Sequence, residues 1–386
     1  MIVGIDASNL RAGGGLTHLV ELLRAIEPSA HGVEEVLVWG AAGTLNRIED
    51  RPWLVKCREA SLEKGLLYRS IWQRFQLSGL ARRAKCDVLL VPGGSFGGDF
   101  HPIVTMSRNM LPFEGIELRR FGWSWMTAKL TVLRLVQMRT FQQADGLIFL
   151  TRYAHDVVMG AITTTAAKTS IIPHGIDSRF QSGAREHLPI QEYSVNRPFR
   201  LLYVSTVDVY KHQWHVAEAV ARLRESGLPI VLDLIGPAYP PALERLKRTM
   251  ARVDPSGDVV RYLGEVPHHL LHERYAQADV GVFASSCENM PNILLEGMAS
   301  GLPMACSDRG PMPEVLGDGG VYFNPESPED IARALRQLIE SPEFRDQLAR
   351  VSVARSRAFS WARCATMTFE FLATAVRSHR TISCES

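Results

Sequence analysis

The sequence predicts an α/β protein made of two doubly wound parallel sheets. Three observations carry this. Short, continuous apolar runs recur along the chain, each broken by Gly or Pro, as strands covered on both faces require. Segments with helical spacing fill the gaps between them, which is the βαβ rhythm. The rhythm stops near residue 180 and restarts after a polar stretch, and 386 residues is a two-domain length at roughly 150 per domain.

In the first half, Ile2–Asp6 is an apolar strand, followed by a loop holding Gly13, Gly14 and Gly15. Leu16–Ile26 then repeats Leu19, Leu22, Leu23 and Ile26 at helical spacing. Glu35–Trp39, Asp87–Val91, Pro102–Met106 and Gly146–Thr151 read as further buried strands. Residues 181–199 are polar and unpatterned, a surface connection. Beyond it come strands at Phe199–Ser205, Ile230–Gly236, Val259–Leu263, Asp279–Ala284 and Pro303–Ser307. Helices fall at Val216–Ser226, Pro241–Val253, His269–Ala276, Asn292–Ser300, Pro328–Glu340 and Glu343–Phe359. The domains are therefore expected at 1–178 and 179–360, followed by a last helix in 361–386. Ligands of open α/β sheets sit beyond the carboxyl ends of the strands, so the cleft between two such domains is the expected site.

Composition narrows the function. The net charge is +2, and nothing argues for nucleic-acid binding. The N-terminus lacks the basic and apolar regions of a secretory signal, and no apolar run is long enough to span a membrane. The six cysteines (Cys57, Cys86, Cys287, Cys306, Cys364, Cys384) form no C-x-x-C pair, which fits a reduced, cytoplasmic setting. Charge is uneven: 51–139 carry 15 Lys and Arg against 6 Asp and Glu, leaving the remainder at −7. That is either a basic lobe for an anionic acceptor or membrane, or chance asymmetry on a solvated surface. Within it, 118–139 mixes Phe121, Trp123, Trp125 and Leu135 with Arg119, Arg120, Lys129, Arg134 and Arg139. This suits either a membrane surface or an internal helix on its own sheet.

The chemistry concentrates at Ser286–Pro303. Pro291 fits a first helical position, where its missing N–H costs nothing. The amides that follow form a helix N-terminus able to hold anions or hydroxyl-rich ligands. Glu288 precedes the helix, and Glu296 shares a face with Asn292. Two carboxylates so placed can grip vicinal hydroxyls at two points of one ligand, a sugar and a ribose. Glu296 lies in the otherwise apolar Leu294-Leu295-Glu296-Gly297-Met298-Ala299, so its carboxylate needs a partner or a ligand. The Gly13–Gly15 loop is either a phosphate-approaching turn or a plain one. No D-x-D or ligand cluster points to a metal, and His268, His269 and His272 read as surface residues.

The segment Glu288-Asn289-Met290-Pro291-Asn292-Ile293-Leu294-Leu295-Glu296 resembles the E-x7-E signature of retaining GT-B glycosyltransferases of glycosyltransferase family 4 (glycosyl transferases group 1). The resemblance extends to Gly13–Gly15, Ile172-Pro173-His174-Gly175-Ile176-Asp177, Tyr262-Leu263-Gly264, Tyr275–Asp279, Gly319–Phe323 and Phe359-Ser360-Trp361. It implies two Rossmann-like domains facing across a cleft, the first for acceptor and the second for a nucleoside diphosphate sugar, with the last helix crossing back. It implies that Glu296 holds the donor ribose and that Glu288 meets the sugar where bonds exchange. Asn289, Met290, Pro291, Asn292 and Ile293 would supply the amide-lined helix start, Lys211 would clamp the diphosphate, and Thr206, Tyr262, Gly14 and Gly15 would complete the donor side. Neither cofactor nor metal is implied. The acceptor is a glycan or a lipid-diphosphate-linked glycan of bacterial surface-polysaccharide synthesis, with peripheral contact at the cytoplasmic face of the inner membrane through 118–139, and the donor leans toward a GDP-linked mannose type. Front-face displacement assisted by the leaving phosphate fits better than a two-carboxylate hydrolase scheme.

Two places depart from that pattern. An Arg usual before the lysine is replaced within Ser205, Thr206 and Asp208, with Arg108 or Arg152 the alternatives for its charge. An acceptor-side His-Asp is replaced within Ser107-Arg108-Asn109, where Asn109 can hydrogen-bond a sugar but cannot act as a base. A non-catalytic nucleotide-sugar-binding subunit and an epimerase or hydrolase on the same fold remain as alternatives. A dinucleotide oxidoreductase fails for want of its glycine fingerprint.

Overall fold

The computed structural model describes residues 1–162, 165, 167–181 and 185–385, with side chains to residue 381. Part of the expected connection (182–184) and the Cys384 side chain lie outside the described residues. The chain divides into two units. One comprises Met1–Gly115, Trp123–Gly175 and Phe359–Ser386; the other comprises Ile116–Gly122 and Ile176–Ala358. The main crossover falls at Gly175/Ile176, against the expected 178.

The first unit holds a seven-stranded, wholly parallel sheet in the order β3-β2-β1-β4-β5-β6-β7. Its strands are β1 Ile2–Asp6, β2 Glu35–Gly40, β3 Leu54–Arg58, β4 Val88–Val91, β5 Ile103–Met106, β6 Gly146–Phe149 and β7 Lys168–Ile171. Strands β4, β5 and β6 are buried at every residue, as apolar runs covered on both faces must be. The helix Trp361–Glu385 belongs to this unit. It buries Cys364, Ala365, Thr368, Phe369, Leu372 and Val376, a stripe at helical spacing, against the helix Gly13–Ala25 and the sheet.

The second unit holds six parallel strands in the order β10-β9-β8-β11-β12-β13. They are β8 Phe199–Val204, β9 Ile230–Ile235, β10 Val260–Gly264, β11 Val280–Phe283, β12 Met304–Ser307 and β13 Gly320–Phe323. The helix Pro328–Glu340 shows why such a sequence folds this way. Ser327 caps it, accepting from Asp330 N at 3.2 Å, and Pro328 fills the first turn. Its buried stripe, Ile331, Ala334, Leu335, Leu338 and Ile339, then adds about 1.5–3 kcal/mol for each large side chain. The polar connection is pinned rather than loose where described: Arg185 donates to the carbonyls of Ala278 at 2.7 Å and Ser300 at 2.8 Å, the ends of two helices.

Two segments from the sequence analysis meet in the first unit. A Cβ on Gly175 would lie 2.2 Å from Trp361 N, so only glycine lets His174-Gly175 pass the start of the last helix. Trp361 in turn packs on His174 and His18, ring centroids 5.8 and 5.5 Å apart. Among the described residues no helix is long and apolar enough to cross a membrane, and the five described cysteines are free thiols.

Candidate functional site

In each sheet the strand order reverses at one place, between β1 and β4 in the first unit and between β8 and β11 in the second. Loops at the carboxyl ends of strands beside such a reversal are where open α/β sheets place their ligands. In the second unit, the loop after β8 carries Lys211 and the loop after β11 carries Glu288. The two side chains form an ion pair, Lys211 Nζ to Glu288 Oε1. Lys211 is buried and its ammonium lies 5.0 and 5.4 Å from the rings of Tyr210 and Phe283, so little water screens it.

The backbone around the pair is tightly held. Tyr203 donates its hydroxyl to Lys211 O at 2.7 Å, and Ser286 N donates to Tyr210 O at 2.8 Å. His212 has left-handed backbone (φ 53°) and places Nε2 2.9 Å from Ser286 Oγ, tying the two loops together. Burial drops the His212 pKa to about 3, so its ring is neutral. At the foot of the loop, a Cβ on Gly236 would meet Ser205 O at 2.2 Å, which brings the loops after β8 and β9 into direct contact. Thr206 is exposed there, and Tyr262 donates to Gly236 O at 2.9 Å.

Glu288 leads into the helix Asn292–Ala299. Pro291 is its cap, one position earlier than the sequence suggested, with Leu294 N and Leu295 N bonding back to Pro291 O. Asn289, Met290 and Pro291 are buried, while Asn292 and Ile293 are half-buried. Asn292 Oδ1 is a buried acceptor with no hydrogen-bond partner, the feature expected where a ligand hydroxyl would dock.

Glu296, one turn further on, is buried and does find protein partners. His268 Nε2 lies 2.8 Å from Oε1, and the Tyr275 hydroxyl 3.4 Å from Oε2. Burial pushes the Glu296 carboxyl up, while the bond to Glu296 pushes His268 up. His268 is exposed, as the sequence suggested, and what the sequence did not show is that its ring bonds the buried carboxylate. No local pattern marks it, because the pair spans 28 residues of chain. Tyr275 lay in a quoted motif, but only the fold brings it to Glu296.

In the first unit the glycines are not a loop. Gly13–Gly15 form the first turn of the helix Gly13–Ala25. Arg108, after β5, donates to Gly14 O at 2.7 Å and Gly15 O at 3.3 Å, and burial lowers its pKa to about 10. Two of its five N–H groups thus go to backbone carbonyls. Asn109 turns its Oδ1 onto Leu111 N at 3.1 Å. His18 and His174 share a 2.8 Å Nδ1–Nδ1 contact beneath, and burial keeps both well below the usual imidazole range. The residues thus fall into two sets, one per unit: Gly14, Gly15, Arg108 and Asn109 in the first, the rest in the second. Among the described residues, no three His, Cys, Asp or Glu side chains gather as a metal would need.

Solved structures share this architecture. Sucrose-phosphate synthase from Thermosynechococcus elongatus superposes with a TM-score of 0.74 at 18% identity, covering 100% of both chains. Anabaena HepE in complex with UDP-glucose gives 0.72 at 16% identity, over 97% of this chain and 100% of that one. Two Rossmann-like parallel-sheet units with such neighbours define a GT-B protein. Residues 185–352 match the family described as "Glycosyl transferases group 1", so the chain carries a glycosyl transferases group 1 domain, which includes Lys211, Glu288 and Glu296. Among curated relatives, O-antigen chain mannosyltransferase B of Escherichia coli is 34% identical over 28% of this chain and 29% of its own. A D-inositol 3-phosphate glycosyltransferase of Actinosynnema mirum is 29% identical over 57% of this chain and 55% of its own. The chain spans 29%, 25% and 50% of the first three curated relatives it matches.

Proposed function

We propose that the protein is a retaining glycosyltransferase. It moves a hexosyl unit from a nucleoside diphosphate sugar, of GDP-mannose type, to a glycan or lipid-linked glycan in surface-polysaccharide synthesis at the cytoplasmic face of the membrane. The observation that carries this reading is the buried Lys211–Glu288 pair beside the amide-lined start of helix Asn292–Ala299, with Glu296 one turn beyond. As the sugar–phosphate bond breaks, negative charge builds on the leaving diphosphate. A poorly hydrated ammonium and a helix N-terminus are what stabilise it. Arrival of the donor gives Lys211 a phosphate in place of Glu288, which frees that carboxylate for the sugar. Glu296 accepts the ribose hydroxyls, and His268 yields its place. Asn292 Oδ1 gains the donor that it lacks. In this reading the second unit binds the donor and the first the acceptor, and no metal or cofactor takes part.

The test is a thermal-shift panel of UDP, GDP, ADP, TDP and their sugar conjugates without added metal. A ligand at 100 times its Kd adds about 2.7 kcal/mol. One nucleotide should stabilise the wild type and not Glu296→Ala, and Glu288→Ala should bind the donor yet lose turnover. Donor binding without transfer to any glycan would favour the non-catalytic subunit. No response to any nucleotide would refute the reading.

A further inference from the structure

The first unit carries a surface that its own folding does not explain. The helix Trp125–Gln143 has apolar residues all round. Leu130 and Phe141 face inward and are buried, while Trp125 (83% exposed), Val132, Leu135 (64%) and Val136 point the other way. A helix apolar on every side is normally enclosed, and here the outer side is open. The stretch 118–139 is thus not one amphipathic helix: 116–122 belongs to the other unit, and the helix beyond uses both faces.

A second open apolar run sits beside it. Between Leu66 and Leu77, a helix passes into one π turn, a distortion common where a helix serves a purpose beyond packing. Leu67 (70% exposed), Ile71 and Phe75 (72%), four apart, stand outward on one line. The two runs are continuous, since Phe75 and Val136 line the same groove. Cations accompany them. Segments 64–86 and 123–143 together hold nine Lys and Arg, with Glu63 and Asp87 flanking the first, and Arg74, Arg82 and Arg139 line the groove beside Asp99. Lys64 lies 4.8 Å from the Tyr68 ring and Arg74 5.5 Å from the Phe75 ring, so charge and apolar surface interleave.

We infer that this face of the first unit docks on a lipid bilayer carrying anionic headgroups. Exposed Trp, Tyr and Phe fit the interfacial layer, the aliphatic side chains enter the acyl boundary, and the cations meet the headgroup charge. The interleaving of exposed aromatic and aliphatic side chains with cations along two separate chain segments is the pattern an anionic bilayer surface complements. The inference rests on the lipid-linked form of the acceptor proposed above and names where the protein meets it, adding residues 64–86 to the expected contact.

The experiment is flotation of the full chain with phosphatidylcholine vesicles, with and without 30 mol% phosphatidylglycerol, in the absence of donor and acceptor. Binding to the anionic vesicles alone, weakening with NaCl, is expected. Neutralising Arg74, Lys129 and Arg139 to Gln should weaken it on the order of 100-fold, about fivefold per cation. Leu67→Ser with Phe75→Ser should cost on the order of tenfold or more. Both variants should keep the wild-type melting temperature and nucleotide response, because these side chains are exposed and lie outside the site. No binding to anionic vesicles, or equal binding to neutral ones, would overturn the inference. So would wild-type binding by the Leu67/Phe75 variant, or self-association of the chain that those substitutions abolish in place of vesicle binding. The nucleotide panel on the same preparations reads the donor site separately, so failure of one does not mimic failure of the other.

Discussion

Glu296→Gln separates the two jobs of that carboxylate. The amide has the same shape, so packing is retained, while the charge and one of the two acceptor oxygens are lost. His268 has its pKa raised by Glu296, so the stability it contributes is complete below 6.5 and is lost as pH climbs through its higher folded value. Glu296 also has a raised pKa, because of burial. Its ionisation costs the folded state nothing below about 4.5, and the full cost is present above its folded value. Both groups therefore make the wild type lose stability relative to Gln as pH rises from 4.5 past 6.5. A charged hydrogen bond is worth about 1.5–3 kcal/mol, and the 45% exposure of the His268 side chain cuts this to about 1 kcal/mol. The variant should thus sit up to about 1 kcal/mol below wild type at pH below 6.5, and that gap should shrink and then change sign as pH rises through the raised pKa values of His268 and Glu296, read from urea unfolding across that range. Nucleotide binding should follow a different course. Replacing the charged, two-oxygen acceptor of the ribose hydroxyls by an amide with one acceptor oxygen should raise the Kd of the nucleotide by about 10- to 100-fold above the pKa of Glu296, at 1.5–3 kcal/mol for a charged hydrogen bond. A pH-independent stability gap would refute the His268 pairing, and an unchanged Kd would refute the ribose role.

Two other substitutions test the framework. Lys211→Met strands a Glu288 whose side chain is only 17% exposed, which should cost about 3 kcal/mol in chemical denaturation; Lys211→Met with Glu288→Leu should regain most of that while staying inactive. A single variant as stable as wild type would show that the pair is not held together in solution. Gly175→Ala drives a Cβ into Trp361 N and should destabilise by about 3 kcal/mol, seen as a lowered melting temperature; a neutral result would mean the last helix does not sit against that turn.

How far the sequence reveals the molecule depends on what each element touches. Strands β1, β2, β4, β5, β6, β8, β9, β11 and β12 have neighbours on both sides and read directly as apolar runs, and the edge strand β10 was read as well. The strands not read, β3, β7 and β13, all lie at sheet edges, where water replaces a neighbour. Their sequences show it: LVKCR and KTSI are half-exposed and carry charge, and GVYF alternates. The helix from Leu66 was missed because its apolar residues face outward, so their spacing signals no core. In the second unit the site is legible because Glu288 to Glu296 is a continuous stretch of loop and helix. What completes it is not, since Lys211 reaches Glu288 across 77 residues and His268 reaches Glu296 across 28. Arg108 shows a contact the sequence could not give, its guanidinium donating to the carbonyls of Gly15 and Gly14 from 93 and 94 residues away.

The return of helix Trp361–Glu385 to the first unit has a consequence for how the chain is made. Its seven strands are all translated by Ile171, yet the helix that covers β4, β5 and β6 follows almost two hundred residues later. At about 5–20 residues per second, the ribosome leaves those strands without that helix for roughly 10–40 s. The second unit lies largely within one uninterrupted stretch, so it can close during that interval while the earlier unit waits. The order of completion is thereby inverted: the unit whose strands are made earlier gains its covering helix only after the strands of the later unit have been made.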